Sequence, residues 1–83
     1  MANQRMKDAI RAMARREGHG MATVTNRALP LRLMRRMERL GLVQRAGRVV
    51  VCDGDGRAIQ PERERDGWTV TRAGMMEVTD DRN

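Results

Sequence analysis

The chain contains no serine, phenylalanine or tyrosine, and one each of cysteine, histidine and tryptophan in 83 residues. These absences exclude much chemistry. No Ser–His or acid–His set can be assembled for nucleophilic catalysis. A zinc site needs more cysteine and histidine than the chain has. His19 lies between Gly18 and Gly20 with no partner nearby in sequence, so it reads as a surface residue. Cys52 follows three valines and no base is close to it, which suits a small apolar residue better than a nucleophile. Asp53, Asp55 and Glu64 match positions 1, 3 and 12 of a calcium loop, but Arg57 and Ala58 occupy the fifth and sixth, and the sixth requires glycine. No phosphate-binding glycine loop opens a helix. The expectation is a protein that is not an enzyme and carries no cofactor or metal.

A lone cysteine forms no internal disulfide, which fits a reducing compartment. No stretch approaches the roughly 18–20 apolar residues of a membrane span. The N-terminal residues lack the apolar centre of a signal peptide. Together these suggest a cytoplasmic protein without membrane contact. The length suits one small domain, expected over residues 1–79 with a disordered polar tail at 80–83. With a single aromatic, the interior must be filled by Met, Leu, Val and Ala. Eight methionines suit an irregular core, and the same flexible thioethers suit an interface.

What the chain has in excess is arginine, and it is placed unevenly. Between Arg27 and Arg48 lie seven arginines (27, 32, 35, 36, 39, 45 and 48) and one acid, Glu38, a net charge of +6. The rest of the chain has ten basic and ten acidic residues. A GC-rich genome would explain arginine in place of lysine but not this clustering. Arginine's planar fork matches phosphate oxygens and guanine edges.

The clustered segment centres on a helix expected over Pro30–Leu40. Leu33, Met37 and Leu40 recur at i, i+4 and i+7 and predict the buried face. Arg32, Arg35, Arg36 and Arg39 recur every three or four residues on another face. Gly41 sits where a helix stops in a left-handed residue, allowing Leu42 to fold back on Met37.

Upstream, Met6, Ile10 and Met13 predict a first helix from Asn3 to about Glu17, capped by Asn3 and ended by Gly18 and Gly20. Met21–Leu29 has two readings: a short strand over Met21–Val24, or a short helix capped by Thr23 or Thr25. Pro30 either opens a new helix or lies in the first turns of one that starts at Thr25. Downstream, Val49–Val51 predicts a strand over Gly47–Cys52, and Asp53-Gly54-Asp55-Gly56 a turn. Arg57–Asp66 reads as a mobile loop or frayed ribbon. Gly67–Val70 predicts a returning strand with Trp68 and Val70 on one face. Thr71 can cap a last helix, Arg72–Val78.

In that order the elements and motifs resemble the winged helix-turn-helix domains of small bacterial and phage regulators, over about residues 5–78. Leu40-Gly41-Leu42-Val43 matches the turn that ends the family's recognition helix. Trp68-Thr69-Val70-Thr71-Arg72-Ala73-Gly74 matches the segment that opens its last helix. Thr23–Leu29 is short for the family's second helix. The resemblance implies an α+β winged helix of about three helices, with a β-hairpin wing and a short C-terminal helix. It implies that Arg32, Arg35, Arg36 and Arg39 lie on the recognition helix and Arg57, Arg63 and Arg65 on the wing. With Arg27, Arg45 and Arg48 these make ten candidate contacts to duplex DNA. Single strands are the poorer target, because their readers stack bases on aromatics.

The expected function is therefore DNA binding by a transcriptional regulator or a phage or mobile-element accessory factor. The competing expectation is a phage-encoded inhibitor, of the anti-CRISPR kind, that turns its arginine face to a host protein or nucleoprotein complex. Winged-helix regulators often pair through terminal helices, and Met6, Ile10, Met75 and Met76 would supply the seam of such a homodimer.

Overall fold

The computed structural model describes residues 2–79. It is a small α+β domain of three helices and one three-stranded antiparallel sheet, an arrangement compatible with a winged helix. The first helix, α1 (Gln4–Gly18), begins where the Asn3 side chain accepts the Met6 N–H at 2.9 Å. It buries Met6, Ala9, Ile10 and Met13. Gly20, at φ 80°, ends it: the Gly20 N–H bonds the Glu17 carbonyl and the Met21 N–H that of Arg16. These paired bonds close the last turn and satisfy carbonyls that would otherwise lack donors.

Of the two readings for Met21–Leu29, the strand is the one observed, as β1 (Thr23–Val24), and residues 25–29 form no helix. Asn26 accounts for the difference. Its side-chain oxygen accepts the N–H groups of Ala28 and Leu29 at 2.8 and 2.9 Å, and its own N–H reaches the Leu29 carbonyl. That closed turn meets the backbone's hydrogen-bonding needs without a helix and drops Leu29 into the core. Pro30 then holds Leu29 out of the α region and serves as the N-cap of α2 (Leu31–Arg39).

The buried face of α2 differs from expectation at one position. Leu33 and Met37 are buried as expected, but the third buried residue is Met34, while Leu40 is 45% exposed. The helix ends at Arg39, and Gly41 at φ 77° reverses the chain. The Leu42 N–H bonds the Met37 carbonyl and Gly41 that of Glu38, so Leu42 covers the helix end that Leu40 was expected to fill.

In the sheet β1 lies beside β3 (Glu64–Val70), and β3 beside β2 (Val43–Val50). β2 starts four residues earlier than expected, and β3 three residues earlier. Gly47 does not start the strand. It lies at a bulge: Arg45 pairs with Trp68 and Gly47 with Gly67, leaving Ala46 extra, and Gly47 adopts φ 84°. Part of Arg57–Asp66, expected as a mobile loop or frayed ribbon, is paired. Glu64, Arg65 and Asp66 pair with Val50, Val49 and Arg48, and Cys52 bridges to Ala58. A backbone ladder forms there although Glu64, Arg65 and Asp66 are all charged, so this part of the strand carries no hydrophobic pattern to read.

The core lies between the helices and one face of the sheet, with Trp68 1% exposed at its centre. Met6 and Ile10 belong to it, so they are not available to a dimer seam; Met75 and Met76 are exposed. The last helix, α3 (Arg72–Thr79), runs one residue past the expected Val78, and the tail expected at 80–83 lies outside the described residues. Among the described residues no helix is long and apolar enough to cross a membrane.

Candidate nucleic-acid interface

The α2 helix divides its circumference cleanly. At about 100° per residue, Arg32, Arg35, Arg36 and Arg39 span roughly 100°, and Leu33, Met34 and Met37 a similar arc nearly opposite. All four arginines are exposed. Among the described residues none of the four has a side-chain hydrogen bond or ion pair. Four guanidinium groups on two helical turns thus stay uncompensated, and they repel one another unless an anion comes between them. Arg27 stands exposed in the Asn26–Leu29 turn just before α2.

The other candidates differ in kind. Arg45 lies over the Trp68 ring, 5.1 Å from its centroid, and its Nε donates to Glu38 at 3.3 Å. Glu38 is the lone acid of the cationic segment, and its carboxylate is spent on Arg45. Arg48 donates to the Glu64 carbonyl at 3.2 Å and sits 3.6 Å from Asp66. Arg65 is not in a mobile loop: it belongs to β3 and donates to Thr25 Oγ1 at 3.0 Å, tying the hairpin to the segment before α2. Arg63 precedes β3 and Arg57 follows the Asp53–Gly56 turn, both exposed.

The hairpin is also weaker as a cationic element than three named arginines suggest. From Arg48 to Asp66 it holds four arginines and five acids (Asp53, Asp55, Glu62, Glu64 and Asp66). Its net charge is −1, against a ridge of four free cations on α2.

Compared with known proteins, the chain matches no family model, no curated protein and no solved structure at a significant level.

Two further cationic residues outside the ten candidates, Arg15 and Arg16 in the last turn of α1, face a cleft shared with β1 and the hairpin. Their signal is hidden by cancellation, since the apparently neutral remainder of the chain is divided. Residues 1–26 carry five basic and two acidic side chains, and residues 49–83 carry five basic and eight acidic. Trp68, the one aromatic, is buried and covered by Arg45, so it offers no stacking surface. Among the described residues no three His, Cys, Asp or Glu side chains converge as a metal site would require.

Proposed function

We propose that this is a small winged-helix protein that binds duplex DNA through α2 and acts in the cytoplasm as a regulator or a mobile-element accessory factor. The observation that carries the reading is the exposed, unpartnered row of Arg32, Arg35, Arg36 and Arg39 opposite the buried face of α2. An α-helix fits the major groove, where guanidinium groups reach both phosphates and guanine edges. Phosphate contacts would supply most of the affinity, and one or two of the four arginines would read bases. The near-neutral hairpin assigns the wing a lesser part, with Arg57 and Arg63 as its free cations. Because the segment before α2 is a capped turn and not a helix, α2 would dock without the usual supporting helix across the backbone.

Fluorescence anisotropy with random duplex DNA at several salt concentrations tests this. If about six phosphates are neutralised, log affinity falls against log salt with a slope near −5. A flat response rejects the proposal.

A second reading has its own support. Leu31 and Leu40 flank the arginine row and are 42% and 45% exposed. Apolar residues beside cations suit an acidic protein partner, as an inhibitor of a host protein would need. Such a partner would co-purify with the protein in the absence of DNA affinity.

A further inference from the structure

The hairpin curls back toward the end of α1, so that a Cβ on Gly56 would lie 3.9 Å from the Met21 sulfur. Between these elements is an open cleft of about 640 Å³. Its floor is aliphatic: Met21, Ala22, Val24, Val49 and Val51. Its rim is cationic. Arg15 and Arg16 approach from α1, Arg65 from β3, and His19 stands beside them. The single acid in the lining, Asp53, is already engaged, since its Oδ1 accepts the N–H groups of Asp55 and Arg57 at 2.9 and 3.1 Å.

We propose that this cleft binds an amphipathic aliphatic anion, a carboxylate or phosphate monoester with an alkyl chain. The volume is that of ordinary small-molecule sites. Aliphatic walls without an aromatic favour a flexible hydrocarbon over a stacked ring or base. Guanidinium groups at the rim pair with a carboxylate or phosphate in bidentate fashion, and the apolar surroundings strengthen that pairing. The site stands apart from the α2 row, and its test involves no DNA, so neither proposal depends on the other.

The only cysteine supplies the readout. Cys52 is exposed and lines the same cleft, its thiol turned to the Val50 carbonyl at 3.6 Å. A bound alkyl chain should shield it from iodoacetamide, a neutral reagent, with the alkylation rate followed by mass spectrometry. Decanoate below its micelle concentration, at ten times its dissociation constant, is expected to slow alkylation by about tenfold. Acetate, which lacks the chain, and decyltrimethylammonium, which has the opposite charge, are expected to leave the rate unchanged. Arg15→Gln with Arg16→Gln should abolish the protection. Met21→Glu, which places a carboxylate on the floor, should do the same, and thermal melts verify that both variants fold. Parallel reactions with phosphatidylglycerol and phosphatidylcholine vesicles separate the two sources of such an anion. Protection by phosphatidylglycerol vesicles alone assigns the site to a lipid headgroup, and protection by decanoate to a free ligand. Absence of protection by either, equal protection by decyltrimethylammonium, or full protection in the folded Arg15→Gln/Arg16→Gln variant overturns the proposal.

Discussion

Thr71 fastens the start of α3 to the end of α2 by donating its hydroxyl to the Gly41 carbonyl at 2.6 Å. The same oxygen accepts the Gly74 N–H at 3.1 Å, as an N-cap does. Its backbone N–H adds a bond to the Leu42 carbonyl at 3.0 Å. One side chain therefore joins the turn that ends the arginine helix to the helix that closes the domain. Thr71→Val keeps the shape and removes both hydroxyl bonds. The expected cost is about 1–2 kcal/mol in urea unfolding, and Thr71→Ser should retain most of the stability.

Gly74 is required for space. A Cβ there would overlap the Leu42 carbonyl oxygen and come within 2.8 Å of a Val70 methyl. Alanine normally favours a helix by about 1 kcal/mol over glycine. At this position the order reverses, and Gly74→Ala is expected to destabilise by roughly 1–3 kcal/mol, as overpacking does. Gly18 is the control, because nothing lies within 4 Å of its would-be Cβ. Gly18→Ala should be neutral or slightly stabilising in the same melt.

Thr71 and Gly74 show what is legible in a sequence and what is not. The motif Thr71-Arg72-Ala73-Gly74 can be read as a cap and a helix start, but the neighbour of Gly74 belongs to a turn some thirty residues earlier in the chain. The long, strongly patterned elements are readable: α1 and α2 fall within a residue or two of expectation, because an apolar stripe and a glycine stop are local signals. The return of Leu42 onto Met37 at Gly41 is readable, but that Leu42 takes the buried place and leaves Leu40 exposed is not. The extent of β3 is not readable either, as Glu64–Asp66 join the ladder without an alternating apolar pattern. Among the candidate DNA contacts, exposure of the α2 arginines follows from periodicity. The diversion of Arg45 to Trp68 and Glu38 requires the register of β2 against β3.

Thr23 is fully buried, and its hydroxyl has no hydrogen-bond partner among the described residues. An unpaired buried hydroxyl costs about 1–3 kcal/mol in desolvation. Thr23→Val has nearly the same volume and suits β1 equally well. It is expected to raise stability by about 1 kcal/mol, which for a domain of this size raises the melting temperature by roughly 4–8 °C. A lower melting temperature would reveal a buried water serving the hydroxyl.

Arg45 and the α2 arginines should separate stability from affinity. Arg45 makes an exposed ion pair, worth under about 1 kcal/mol after solvent screening, and covers the face of Trp68 for another 0.5–1 kcal/mol or so. Arg45→Ala should therefore lower the melting temperature and leave the salt slope of DNA binding nearly unchanged. Arg35 and Arg36 have no such partners, so Arg35→Ala with Arg36→Ala should melt within about 0.5 kcal/mol of the wild type. That double variant is expected to weaken binding to every duplex sequence and to reduce the salt slope by nearly 2, about 0.9 for each phosphate no longer neutralised. The two assays on the same preparations rank the arginines by role. If the Arg35/Arg36 variant binds as the wild type does while Arg45→Ala does not, the ridge on α2 is only a solvated surface and DNA binds nearer the hairpin.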